Sequence, residues 1–332
     1  MNPPFLIKLR SSLACHARDG VIFVAAVALL GWTGSWHWVP ELFAHFFLQY
    51  ALLLVILTPL LFWAGWGSRD NRRHWQWLAL IATLLAGFAV SPCWLPADSV
   101  RKANSHGSLN LLQFNAAQNT DALVQWLIKH RQEVDVVLVL EASTGFAGGI
   151  EALAEEFPYH IEKLQDDPFG IALMSRYPLS EAAVLDMSDD VDFPALEADV
   201  ITPAGPLRLI GIHPPPPLGG ELAKLRDAFM QKLALRLVAQ LKEGEPTLVF
   251  GDFNSTIWSP RLRDFIAKTR LRDAGQGQGA PGSYPAASAR ISGWLGIPID
   301  LMLVSEHITV QERHAGESLD SDHLPIVTRI TY

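Results

Sequence analysis

Cysteine is nearly missing from this chain: 332 residues contain 2, Cys15 and Cys93. Both precede residue 96, so the rest of the chain has neither a disulfide framework nor a thiolate zinc site, and any metal there must be held by oxygen or imidazole. Charge is sparse, at 18% Asp, Glu, Lys and Arg, and unevenly spread. The first 104 residues carry 8 Lys and Arg against 4 Asp and Glu, and the remainder carries 18 against 30. That acidic remainder lacks the general cationic surface by which proteins gather duplex DNA, because such affinity comes from Lys and Arg neutralising phosphates. A local basic groove would still serve a nuclease. Asp, Glu, Lys and Arg are wholly missing from 21–39, 42–66 and 75–95.

Each of those three stretches has about the roughly 20 residues that a helix needs to cross the hydrocarbon core. They predict three transmembrane helices, which accounts for an apolar content of 49%. A cleaved signal peptide is the competing reading of the first stretch. Two further apolar segments at once, and no small-residue cleavage site, favour a retained span. Trp32, Trp36, Trp38, Trp63, Trp66, Trp75, Trp77 and Trp94 crowd the segment ends, where amphipathic rings prefer the headgroup layer. His45, Gln49 and Pro59 in the second stretch are read as structural, since no ionisable acid or base accompanies them.

Lys8, Arg10 and Arg18 precede the first span, and Arg69, Arg72 and Arg73 separate the second from the third. The loop around Pro40 and Glu41 has no basic residue. The N-terminus and second loop are therefore expected in the cytoplasm. Three crossings place everything beyond Leu95 on the far side. The expectation is a multi-pass protein of a bacterial inner membrane with a periplasmic or extracellular domain; Arg101 and Lys102 oppose it mildly.

Residues 96–108 (PADSVRKANSHGS) read as a linker between a membrane anchor, 1–95, and a domain at 109–332. In that domain, LNLLQF (109–114), VDVVLVL (134–140), IALMS (171–175), LRLIGI (207–212), TLVF (247–250) and IDLMLVS (299–305) read as buried strands. Residues 120–131, 147–156, 220–242 and 260–269 have helical apolar spacing. The fold class is α/β.

Several strands run directly into a polar residue: Asn115, Glu141, His213, and Asp252 with Asn254. Asp300 opens another strand, and Asp322 and His323 precede the last. Strand ends are where α/β folds collect catalytic groups. Phosphodiester hydrolysis needs a hard cation, which Glu141, Asp252 and Asp322 are suited to hold. It also needs a base for water, for which Asp300 and His323 are apt, and a proton for the leaving oxygen, which His213 would give.

The order Asn115, Glu141, His213, GDFN (251–254), IDLMLVS (299–305) and SDHLPI (321–326) resembles the endonuclease/exonuclease/phosphatase superfamily. The resemblance covers 109–332. It implies a four-layer sandwich of two mixed β-sheets flanked by helices, with Mg²⁺ or Mn²⁺ at one end. By matching position, Glu141 and Asp322 would bind metal with Asn115 beside them. Asp252 and Asn254 would orient water and phosphate, His213 would contact the phosphate or leaving group, and Asp300 would hold His323. Whether His323 or Asp252 takes the water proton stays open. Leu140 stands where relatives usually have Gln, and Leu301 where they have His or Tyr.

Arg176, Trp258 and Tyr284 are candidate substrate contacts, each with a packing role as the plainer reading. Pro214–Pro217 reads as a stiff polyproline stretch. The expected partners are the bilayer and a phosphoester substrate, whether lipid headgroup, small phosphoester or nucleic acid; no protein partner is inferable. The rivals are an extracytoplasmic nuclease and a non-catalytic binding or scaffold protein. The topology is open to direct test: protease applied to intact spheroplasts is expected to remove the C-terminal domain while a cytoplasmic control survives, and protection of the domain would invert the assignment.

Overall fold

The computed structural model describes residues 3–65, 73–95, 107–240, 244–286 and 289–332. The chain divides into two compact units, 1–95 with 258–260, and 96–257 with 261–332. Arg69 and Arg72 of the second loop, Trp66, the linker residues 96–106 and its basic pair Arg101 and Lys102 lie outside the described residues.

The first unit holds α1 (Pro3–Trp32), α2 (Trp38–Ala44), α3 (Phe47–Gly65) and α4 (Arg73–Val90). Three stretches, Lys8–Trp32, Phe47–Ala64 and Arg73–Cys93, are helical, long and apolar enough to cross a membrane. The first lies earlier than the 21–39 expected from hydropathy. Residues 33–36 form a turn, and Trp38–Ala44 is a separate short helix rather than the end of a span. The sharp reversal depends on Gly34, where an added Cβ would lie 2.7 Å from the Glu41 Cα. His45 is the C-cap of α2 and so precedes the second span instead of lying within it. Arg10 donates a 2.9 Å bond from Nη2 to the Trp63 carbonyl, and the Arg18 guanidinium lies over Trp75. The basic start of α1 therefore sits at the same end of the bundle as the end of α3 and the start of α4.

The second unit contains β1 (Ser108–Asn115), α5 (Asp121–Lys129), β2 (Val136–Leu140), α6 (Ala147–Ala152), β3 (Tyr159–Lys163), β4 (Ile171–Ser175), β5 (Leu179–Asp186), β6 (Pro194–Thr202), β7 (Gly205–Ile212), α7 (Gly220–Gln240), β8 (Thr247–Asp252), α8 (Pro260–Thr269), β9 (Arg272–Asp273), α9 (Ala289–Leu295), β10 (Asp300–Val304), β11 (Thr309–Ala315) and β12 (Ile326–Thr331). Two six-stranded mixed sheets result, in the orders β11-β12-β1-β2-β4-β3 and β5-β6-β7-β8-β10-β9. Side-chain alternation builds the layers. Leu109, Leu111, Val136, Leu138 and Leu140 from one sheet meet Leu207, Leu209, Leu248, Phe250 and Met302 from the other in a shared core. On the outer face of the first sheet, Leu112, Phe114, Val137 and Val139 pack under Leu123 and Leu127 of α5 and Ile150 of α6. Ile210, Ile212, Val249 and Leu303 of the second sheet pack under Phe229 and Leu233 of α7 and Phe265 of α8. Four layers follow.

Strands β3, β5, β6, β9 and β11 and helix α9 were not legible as elements. The strands other than β6 are the four sheet edges, whose outer sides face solvent and whose sequences carry polar residues, as in YHIEK and TVQERHA. Strand β6 is interior, but its buried Glu197, paired with Arg236 and Arg208, breaks the apolar run.

The pairs β1/β2 and β7/β8 are parallel, and β10 runs antiparallel to β8 with Asp300 opposite Asp252. The C-terminal ends of the two parallel pairs and the start of β10 thus share one edge. At Gly251, φ is +142° and a Cβ would lie 2.0 Å from the Ile212 carbonyl oxygen. Only glycine allows β8 to approach β7 so closely while turning into Asp252. Gly251→Ala is therefore expected to destabilise the domain by roughly 2–4 kcal/mol, measured as the shift in thermal unfolding of the purified full chain. A shift within error of wild type would remove this steric requirement.

Candidate active site

The polar residues at these strand ends meet in one cluster. Asn115 closes β1 and spans the two sheets, with Nδ2 donating to Glu141 Oε1 at 3.0 Å and to Asp252 Oδ2 at 3.2 Å. Its Oδ1 accepts from the Ala117 N–H at 3.1 Å, which fixes the orientation of the amide. A second tie between the sheets is the buried Gln113, whose Nε2 donates to the Gly251 carbonyl at 3.2 Å. Glu141 follows β2 with φ at +52°, and its carbonyl accepts from the Gln118 N–H. A glutamate in the left-handed region is strained, and such strain persists where the surroundings over-determine it.

Asp252 is the centre, only 1% exposed. Its Oδ1 accepts from the Asn254 N–H at 2.7 Å. Its Oδ2 faces His213 Nε2 at 3.6 Å and His323 Nε2 at 3.7 Å as well as Asn115. Burial and then the nearby Asp300 push the Asp252 carboxyl up from its ordinary value, against the two imidazoles and the Asn254 N–H. His323 Nδ1 bonds Asp300 Oδ2 at 2.8 Å. Burial works against the imidazolium, but Asp300, by charge and hydrogen bond, and then Asp252 and Asp322 outweigh it and raise His323 to about 10. Asn254, at φ +47°, donates from Nδ2 to the Pro214 carbonyl at 3.0 Å, which ties the GDFN turn to the polyproline stretch.

Residues the sequence did not single out hold this cluster. Ser321 Oγ donates to the Asn115 carbonyl at 2.7 Å and accepts from the His323 N–H at 3.0 Å, so it pins the His323 loop to β1. The buried Arg313 donates from Nη2 to the Asp300 carbonyl. Phe169, half-buried, lies 5.7 Å from the His213 ring and against Phe193. A serine two residues before a histidine in a loop was the one readable signal. Arg313 sits on an edge strand, and Phe169 is distant in sequence.

Of the candidate substrate contacts, Tyr284 is at the site, its ring 4.9 Å from that of His323. Arg176 is not. It donates from Nε to the Val134 carbonyl and lies over Phe157, beside the Val136 end of β2 and opposite the Glu141 end. Its contacts are with that end of the sheet. Trp258 is grouped with the first unit, is 5% exposed, and takes no part in the hydrogen bonds just described.

The donor set suits a hard cation. Glu141 is half-buried, Asp322 is exposed and adds to the field at His323, and the buried Asp300 Oδ1 and His213 Nδ1 have no hydrogen-bond partner among the described residues. Buried polar atoms of this kind can be met by water, an ion or a substrate. One ligand atom each from Asp252, Asp300 and His323 also lie within 4.8 Å of one another. The 2.8 Å bond between His323 and Asp300 already engages two of the three, so Glu141 and Asp322 are the freer carboxylates. Asn115 turns its N–H groups toward the Glu141 and Asp252 carboxylates and so orients them, beside the expected metal ligands.

The family model described as Endonuclease/Exonuclease/phosphatase family matches residues 107–323. The chain belongs to this family. Solved structures agree on the fold. An endonuclease/exonuclease/phosphatase from Beutenbergia cavernae superposes with a TM-score of 0.55 at 18% identity, covering 68% of this chain and 71% of the other. D. rerio TDP2 complexed with single-stranded DNA product gives 0.53 at 15% identity, covering 68% and 100%. SmcL gives 0.52 at 16% identity, covering 68% and 99%. No curated protein sequence matches the chain. In this member of the endonuclease/exonuclease/phosphatase family, Leu140 and Leu301 are both buried in apolar clusters, so neither departure reaches the polar network.

The pairing with Asp300 makes a pH prediction for metal-free protein. With a folded value near 10 against an ordinary 6.5, the His323 imidazolium contributes stability that is fully present below pH 6.5 and is lost as pH rises through about 10. Histidine-selective NMR is expected to show His323 protonated at neutral pH, and Asp300→Asn to bring its midpoint down toward 6.5. A wild-type midpoint already near 6.5 would refute the pairing.

Proposed function

We propose that residues 107–332 hydrolyse phosphoester bonds with the aid of Mg²⁺ or Mn²⁺ held by Glu141 and Asp322. The observation that carries this reading is the buried Asp252 carboxylate faced by two imidazoles and the Asn115 amide at one sheet edge. A divalent cation there would neutralise phosphoryl oxygens and so lower the barrier to displacement. Asp252, with its proton affinity raised by burial, orients the attacking water and accepts its proton. His323, kept charged by Asp300, donates through Nε2 to a phosphoryl oxygen. His213 returns a proton to the leaving oxygen, and Asn254 positions the phosphate from a turn fixed by Pro214. A degenerate scaffold would have to bury these polar groups, two of them without partners, for no return.

Small or lipid-borne phosphoesters are the substrates this reading favours. The balance of 18 basic against 30 acidic residues beyond residue 104 opposes long-range attraction of phosphate backbones. Three helices fit to cross a membrane raise the effective concentration of the domain toward substrates confined there. The DNA product in D. rerio TDP2 belongs to that protein, and its likeness to this chain is one of fold.

The test is a metal-supplemented screen of the purified full chain against phospholipids, inositol phosphates, RNA, oligonucleotides and plasmid. Asp252→Asn is expected to lower turnover by about 10²–10⁴, and Glu141→Gln to weaken Mn²⁺ binding in calorimetry. His323→Ala and Asp300→Asn should each lower turnover with losses far from additive. Activity unaffected by Asp252→Asn would sink the mechanism, and plasmid as the preferred substrate by more than about tenfold would replace the substrate class.

A further inference from the structure

Helix α9 shows water an apolar face beside the site. Ile291, Trp294 and Leu295 are 52%, 54% and 68% exposed. Their i, i+3, i+4 spacing sets them on one side of the helix. The other side is anchored: Ser292 is buried and its Oγ donates to the Pro285 carbonyl at 3.0 Å. Tyr284 and Ile297 stand on either side of α9 in the chain and are joined by the Ile297 N–H, which donates to the Tyr284 carbonyl at 2.6 Å. At Gly282 an added Cβ would lie 1.9 Å from the Ser292 carbonyl oxygen, and at Gly296 2.7 Å from it. The seat of α9 is therefore specified by close backbone packing, and it is bracketed by Tyr284, which lies against His323, and by Ile297, only three residues before Asp300.

We propose that α9 is an interfacial wedge that inserts Ile291, Trp294 and Leu295 into the headgroup layer of a lipid bilayer. On the phosphoester-hydrolase reading, on which this part rests, the wedge delivers lipid-borne substrate to the Tyr284 side of the site. Three facts select a bilayer as the occupant of this face. A tryptophan with branched aliphatic neighbours is the composition of a helix lying in the interface. The same chain carries three helices long and apolar enough to cross a membrane. In the sequence only eleven residues, 96–106, separate the last of those helical stretches and its 3-10 turn from the domain. Seven residues make about two turns, enough to seat one apolar face at the headgroup boundary without burying a polar one.

The test uses the full chain in liposomes of phosphatidylcholine and phosphatidylglycerol. In a background of Cys15→Ser and Cys93→Ser, an environment-sensitive fluorophore is placed at Trp294→Cys or, as a control, at the exposed Gln311→Cys of β11. Emission at 294 is expected to be blue-shifted and quenched by lipids carrying a doxyl group near the headgroup, with neither effect at 311. A shifted but unquenched probe would mean that protein, another copy or a partner, covers the face, and an unshifted probe would mean that water does; either overturns the wedge. The triple variant Ile291→Ser, Trp294→Ser, Leu295→Ser is expected to lower kcat/KM about tenfold for a vesicle-borne phosphodiester and to leave a water-soluble one unchanged. Equal effects on both substrates overturn the delivery role. Quenching at 294 in a chain that hydrolyses neither would uphold the wedge and reject the proposed activity, so the two failures are told apart.

Discussion

The organisation of the second unit depends on one burial: the Asp252 carboxylate, withdrawn from water at the edge where the two sheets meet. A carboxylate in such a place is costly unless donors and opposite charges surround it. Each compensating group arrives from a different segment: the Asn254 N–H from the turn itself, the Asn115 amide from the opposite sheet, His213 from just past β7 and His323 from the loop before β12. The demand of one charge thus fixes the meeting of four segments that are far apart in the chain. The raised positions of Asp252 and His323 follow from the same crowding of buried acids and imidazoles.

Support for that cluster is mostly backbone. Asn115 and Ser321 bind each other's segments, Arg313 holds the Asp300 carbonyl, and Gln113 crosses between sheets to the Gly251 carbonyl. Groups that hold carbonyls rather than side chains set the spacing of strands, and the spacing sets the side chains. The same logic explains why Gly251 occurs where it does. The position that lets β8 press on β7 also aims the next residue, Asp252, at both histidines.

In the first unit, polar contacts tie the helices to one another among the described residues. Thr58 meets Thr83 between α3 and α4 at 2.8 Å, and the basic start of α1 gathers at the end of the bundle where α3 stops and α4 begins. Hydropathy alone placed the first span too late. It followed the apolar run through Val39, whereas Gly31 and Gly34 let the chain turn back after Trp32. Glycines of that kind dilute an apolar window only slightly, and their effect is conformational.

The sequence by itself determined the parts of this protein that local chemistry decides. Apolar runs without charge mark helices fit for a membrane, buried strands read as short apolar runs, and the polar residue after each run, from Asn115 to His323, marks the site. These are legible because burial from water is a property of each segment on its own. Only the tertiary structure decided which of the marked residues converge. It set Arg176 at the opposite end of β2, turned the Asn115 amide hydrogens toward two carboxylates, brought Phe169 to His213, and placed an apolar helix beside Tyr284. Edge strands stayed hidden because half their surroundings are water, so their sequences carry no apolar run. Pairing and convergence depend on contacts between residues far apart in the chain, 206 positions for Ser321 and Asn115, and no local pattern encodes such a contact.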